Sequence, residues 1–193
     1  MFSNRYPLFA KRLRAFTLIE LIVVIAIIGV LAAIIAPNAF KVIEKAKIAR
    51  VVSDLKAIKS AAMGYYSDTG RFPPNDDTYG AGLRGIDFIQ NYSGVAAWDG
   101  PYLEKWPQLS LWAGSHGGSY QWQGAWADFS GDGVSDECVE LNFGGSGFNA
   151  QDVNRIALMV DRGLDDGNTG TGNFCHWPDR WYWHCAYFCV AYD

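Results

Sequence analysis

Positive charge is scarce where most of this chain lies: from residue 61 onward there are 6 Lys and Arg against 17 Asp and Glu. A surface of that sign cannot neutralise phosphates over a broad area, which excludes general nucleic-acid binding by this part. A Gly-rich phosphate loop, G-x-S-x-G and H-E-x-x-H are all missing, so phosphate-loop, hydrolase and zinc-protease chemistry lack their usual signatures. Acids are absent from residues 1–15, which carry Arg5, Lys11, Arg12 and Arg14, and tryptophan is absent before residue 98. Tandem repeats and long linkers are absent as well. Aromatic residues, at 15 %, are plentiful enough to oppose intrinsic disorder, because they bury surface that offsets ordering entropy.

The other abundant feature is one apolar run, Phe16 to Ala36. As a helix at about 1.5 Å per residue it reaches roughly 30 Å, the thickness of a bilayer's hydrocarbon core. The bases before it and the acidic remainder after it orient a span with its N-terminus cytoplasmic and the bulk of the chain outside. A secretory signal peptide would have a shorter apolar region and a small-residue cleavage site after it, whereas this run ends at Pro37-Asn38. Glu20 stands out within it. A carboxylate costs on the order of 3 kcal/mol at the centre of a membrane helix, less near an end, and marks a neutralising partner unless it reaches water at the interface.

The stretch Lys11-Arg12-Leu13-Arg14-Ala15-Phe16-Thr17-Leu18-Ile19-Glu20-Leu21 resembles the processing site of type IV prepilins and of the pseudopilins of type II secretion systems. The resemblance implies cleavage between Ala15 and Phe16 by a membrane prepilin peptidase, with methylation of the new N-terminal Phe16. Glu20 then corresponds to the acid that pairs with the N-terminal amine of a neighbouring subunit during assembly. A buried carboxylate opposite a buried ammonium is tolerable where either alone is not. The family usually has Gly before the cut, and this chain has Ala15.

Beyond Pro37 the apolar residues become periodic, with Ile48, Val51, Val52, Leu55, Ile58, Ala62, Tyr65 and Tyr66 at three- and four-residue steps. This is an amphipathic helix whose stripe faces the distal domain or neighbouring subunits. Gly29 and Pro37 are candidate kink points in a helix from Phe16 to about Tyr66. Gly70 suits a left-handed stop, and Pro73-Pro74 forbids continuation. Asp68-Thr69-Gly70-Arg71-Phe72-Pro73 resembles the turn that closes the stem of the major type II secretion pseudopilin, and Gly100 to Pro107 resembles that family's G-P-Y-L-x-x-x-P segment.

Further on, Gly118 to Gly124 and Cys138 to Gly144 read as short strands bounded by turns. The expected fold is therefore α+β: a long N-terminal helix, half transmembrane and half amphipathic, packed on a small antiparallel sheet. Its divisions are 1–15 leader, 16–37 membrane half, 38–67 amphipathic stem and 68–193 globular periplasmic or extracellular domain.

Asp128, Ser130, Asp132 and Asp136 take positions one, three, five and nine of a loop with Gly133 at six, the opening of a calcium loop; Val139 stands where the closing Glu would be. Calcium is the expected cofactor, against an acidic hairpin turn, and pseudopilins of the resembled type bind calcium in a distal loop. Asp161 to Asn173 resembles a D-D-G-x-x-x-T-G segment of pilin-like proteins and reads as a Gly-rich turn or a second metal site. Cys138, Cys175, Cys185 and Cys189, an even number in an exported domain, favour two disulfides of open connectivity. A zinc site using His176 and His184 is the alternative.

The resemblance implies a structural subunit, not an enzyme. It would form a type II secretion pseudopilus with copies of itself, a prepilin peptidase, an inner-membrane platform, a cytoplasmic assembly ATPase and the lipid bilayer. A type IV pilin serving adhesion, motility or DNA uptake is the alternative reading. A membrane-anchored carbohydrate binder is more remote, because no spacing selects a carboxylate pair.

Overall fold

The computed structural model describes residues 16–76, 83–109, 118–128, 133–144, 148–176 and 185–191. The chain divides into two compact units, one ending at Ile43 and the other Glu44–Asp193.

Helix α1 runs Leu18–Thr69 and passes through Pro37 without interruption, so the proline does not end it. Thr17 and Glu20 form a capping box at its start. The Thr17 hydroxyl oxygen accepts from the Glu20 amide at 3.3 Å, and the Glu20 carboxylate accepts from the Thr17 amide at 2.8 Å. At the other end Gly70, with φ +71°, donates its amide to the Tyr66 carbonyl at 2.8 Å, and Pro73 and Pro74 follow.

In the first unit every described apolar side chain is exposed, from Phe16 at 88 % through Ile43 at 52 %. Among the described residues nothing covers residues 18–36, and this is the one described helix long and apolar enough to cross a membrane.

In the second unit the stripe closes. Ile48, Val51, Leu55, Ile58, Ala61, Ala62 and Tyr65 are buried. They share a core with one face of a four-stranded antiparallel sheet of order β1-β2-β4-β3, comprising β1 Ser119–Ala127, β2 Asp136–Asn142, β3 Phe174–Cys175 and β4 Cys185–Ala191. Tyr120, Trp122, Val139, Leu141, Phe174 and Phe188 supply that face. The α+β fold expected above is the fold observed.

Two short helical elements complete the unit. Helix α2, Ile86–Ile89, carries Phe88, whose ring meets Trp122 edge-on at 5.2 Å. Helix α3, Ala150–Leu164, was not anticipated from the sequence. Asn149 caps it by accepting from the Asp152 amide, and it buries Val153, Ile156, Ala157 and Val160 in the same core. Gly163 allows close approach to α1, since a Cβ there would lie 2.8 Å from Val52.

Candidate functional sites and family

The processing and assembly residues lie at the start of α1. Ala15 falls outside the described residues. Phe16 is exposed and lies ahead of the helix. Glu20 is the only charged residue between Phe16 and Phe40. One of its carboxylate oxygens accepts from both the amide and the hydroxyl of Thr17, each at 2.8 Å. The carboxylate is thus partly satisfied within its own chain, but no described cation faces it.

The two stretches that resembled the major pseudopilin, 68–73 and 100–107, meet in space. The Tyr102 hydroxyl donates to Asp68 at 2.8 Å, and its ring lies 5.4 Å from that of Tyr65. The amides of Tyr102 and Leu103 both donate to the Phe88 carbonyl. Pro73 accepts from the Trp122 indole N–H at 2.9 Å. Asp76, which sequence reasoning passed over, ties this region together from inside: buried at 4 % exposure, it accepts from the amides of Gly85 and Trp122.

These contacts make the stem end and the domain one packed body, in keeping with what the comparisons find. Residues 11–36 match the family described as the prokaryotic N-terminal methylation motif, and residues 42–130 match the family described as PilW, C-terminal. Type II secretion system core protein G of Klebsiella pneumoniae is 36 % identical over 105 residues, covering 51 % of this chain and 69 % of that protein. The type IV major pilin protein PilE1 of Neisseria gonorrhoeae is 33 % identical over 121 residues, covering 56 % and 73 %. The chain belongs to the pilin-like family of type IV pilins and type II secretion pseudopilins. Core protein G of Aeromonas hydrophila gives a similar match, 34 % over 103 residues, with 51 % and 67 % covered. No solved structure matches.

The distal sites of this pilin-like chain differ from their sequence expectation in detail. Of the four expected calcium ligands, Ser130 and Asp132 lie outside the described residues. Asp128 is exposed and accepts from the Gly133 amide at 2.9 Å, so it caps the turn between β1 and β2. Asp136 is buried in β2 opposite Ala127. A hard cation fits the carboxylate chemistry of Asp128 and Asp136, while one Asp128 oxygen already serves the turn.

The cysteines sit on the sheet face opposite the hydrophobic core. Register aligns Cys138 directly with Cys189 across β2 and β4, and their sulfur atoms are 3.2 Å apart. All four cysteines are buried thiols in the structure. Burial pushes the Cys138 and Cys185 thiols far up, and the Cys175 thiol up to about 12. Cys185 points instead to Glu140 at 3.2 Å, where Gln123 and Asn142 also donate. His176 is buried with its Nδ1 2.8 Å from the Cys185 carbonyl. His184 lies outside the described residues. Among those described, the one group of three or more candidate metal ligands is Asp161, Asp165 and Asp166, not a cysteine–histidine set. Burial, reinforced by Asp166 and Asp165, pushes the Asp161 carboxyl up to about 6; the Gly167 amide acts the other way without reaching hydrogen-bond geometry.

Proposed function

We propose that this pilin-like chain is the structural subunit of a type II secretion pseudopilus. In this reading prepilin peptidase cuts between Ala15 and Phe16, and Phe16 is methylated. The apolar half of α1 anchors the subunit in the inner membrane, N-terminus cytoplasmic and domain periplasmic, until a platform and a cytoplasmic ATPase drive polymerisation. The family's members are structural subunits, and no catalytic role is assigned to any residue here. The observation that carries the reading is Glu20: a lone carboxylate on a helix segment whose described apolar side chains are all exposed, within the matched methylation motif. Thr17 satisfies part of its hydrogen-bonding capacity, but neutralising its charge in lipid requires a cation, and the terminal amine of an adjacent Phe16 supplies one.

A type IV pilin is the second reading, favoured by the match to the Neisseria major pilin over 73 % of its length. Both readings share helix-to-helix polymerisation. Glu20→Ala tests them together: the variant should reach normal membrane levels yet vanish from the sheared filament fraction on immunoblot. Wild-type recovery in that fraction would remove Glu20 from assembly.

In an exported domain the aligned pair Cys138 and Cys189 forms a disulfide. Because burial pushes the Cys138 thiol far up, and the thiolate is the reactive form, pairing occurs while the chain folds. Calcium at the β1–β2 turn, through Asp128, Ser130, Asp132 and Asp136, remains part of the proposal.

A further inference from the structure

A groove of about 440 Å3 lies between α1 and α3, within the range of about 300–1,000 Å3 typical of ligand sites. Its apolar lining comes from Ile48 and Val52 of α1 and Met159 of α3, while Lys45 and Arg162 bring one cation from each helix. Gly163 lines it too, and a Cβ there would stand 2.8 Å from Val52, so the missing side chain keeps that end open. All of these residues belong to the unit Glu44–Asp193.

No acid lines the groove. Glu44, the neighbour of Lys45, pairs with Arg155, and the other described ion pair joins Arg50 to Asp54. Asp165 and Asp166, which follow Arg162, accept instead from the Asn173 amide and from the Asn168 amide and Thr171 hydroxyl. Among the described residues, Lys45 and Arg162 therefore enter no ion pair. Two exposed cations alone would be ordinary solvated heads. Here they flank apolar side chains, and Arg162 belongs to a region with 6 bases against 17 acids. That local reversal of charge suits an anion that carries hydrocarbon.

The place of Lys45 in the chain says which anion is at hand. Apolar side chains of α1 stay exposed as far as Phe40 at 69 %, Val42 at 65 % and Ile43 at 52 %. At about 1.5 Å per residue, a helix over residues 16–43 spans about 42 Å, the thickness of a bilayer with its headgroup layers. Lys45 follows Ile43 by two residues, so it lies within about 7 Å of that segment's end at any backbone angle. On the reading that the segment is the membrane anchor, Lys45 stands at the headgroup layer.

We propose that the groove between α1 and α3 seats the headgroup of an anionic phospholipid from the anchoring bilayer. The phosphate sits between Lys45 and Arg162, and the glycerol and first acyl carbons lie against Ile48, Val52 and Met159. The planar guanidinium can meet two phosphate oxygens at once, and the ammonium adds a point charge. A zwitterionic headgroup would bring a third cation beside these two and is selected against. The bound lipid fixes the depth and rotation of the subunit in the membrane before it joins a filament. The inference rests on the membrane-anchor reading and is independent of which filament the subunit enters.

The test is electron spin resonance of the full chain in mixed phosphatidylcholine and phosphatidylglycerol vesicles, reading the immobilised fraction of acyl-labelled phosphatidylglycerol against that of acyl-labelled phosphatidylcholine. Wild type should prefer the anionic lipid at least about fivefold, the worth of one cation at a membrane surface. Lys45→Gln and Arg162→Gln, both at exposed side chains, should each remove most of that preference. Ala49→Trp should do the same without changing charge, because Ala49 is exposed and lines the groove. Lys41→Gln, outside the groove, should keep the preference.

Equal binding of the two lipids by wild type, or a preference that survives Ala49→Trp, would overturn the proposal. An equal loss in Lys41→Gln would reduce the effect to diffuse charge. Displacement of the labelled lipid by inorganic phosphate, against chloride at equal ionic strength, would make the groove a free-anion site. A preference that vanishes as the protein is concentrated in the vesicle would assign the groove to a second copy. Each of these three outcomes also overturns the lipid assignment. A chain washed off the vesicles by carbonate would defeat the membrane-anchor reading as well, whereas stable insertion without lipid preference would defeat this inference alone.

Discussion

Removing Asp76 is the sharpest structural perturbation available. Its two oxygens accept from the Gly85 amide at 2.7 Å and the Trp122 amide at 2.8 Å, linking the end of the stem to α2 and to the first strand. Neither amide has water to turn to if the carboxylate goes, because Asp76, Gly85 and Trp122 are all buried. Each orphaned buried donor costs about 1–3 kcal/mol, so Asp76→Ala should lose about 2–6 kcal/mol, against a typical total of about 5–15 kcal/mol. Asp76→Asn separates shape from chemistry. The amide keeps the volume but offers an NH2 group to one of two N–H donors, so it should lose about 2–4 kcal/mol. Urea unfolding of the full chain in micelles, read by tryptophan fluorescence, measures both. With a slope of about 1–3 kcal/mol per molar urea, the Asp76→Asn midpoint should fall by roughly 1 M or more. A loss below about 0.5 kcal/mol for Asp76→Asn, the range of an ordinary surface change, would refute the reasoning.

Two further predictions concern the distal domain. A Cys138–Cys189 disulfide closes a separation of 51 residues, which chain entropy values at about 4 kcal/mol. The oxidised protein should exceed both its reduced form and Cys138→Ser by up to that amount in the same urea assay, and non-reducing peptide mapping should recover the 138–189 pair; a Cys138–Cys185 pair would contradict the register. Burial holds the His176 imidazole below its ordinary range, so at mildly acidic pH the unfolded chain binds a proton that the folded one does not. Stability should therefore fall as pH drops below about 6.5, by up to about 1.4 kcal/mol per pH unit from this group, and His176→Gln should lose that part of the slope. An unchanged slope in the variant would show that His176 titrates freely.

How much of this was legible in the sequence depended on how each element is buried. The stem was legible because only one of its faces is covered, so Ile48, Val51, Leu55 and Ile58 recur at helical spacing. Strands β1 and β2 announced themselves through bounding turns. Strand β4 did not, because Cys185 to Val190 are buried on both faces and read as an unbroken aromatic and apolar run without alternation. Helix α3 could have been found: Asn149 three residues before Asp152, then Val153, Ile156, Ala157 and Val160, is a cap followed by a helical stripe. Asp161 was legible only as the start of a stretch read as a Gly-rich turn or a second metal site; that it is enclosed shows only in the packing of α3. The alignment of Cys138 with Cys189 likewise needs the sheet register, which spacing along the chain does not contain.

The central claim is that this chain is a processed subunit whose working N-terminus is Phe16. Intact-mass and N-terminal peptide analysis of the protein recovered from the cell envelope tests it most directly. The account predicts a chain that begins at methylated Phe16, with residues 1–15 gone. A mature chain still beginning at Met1, or one cut on the far side of the apolar run, would contradict it.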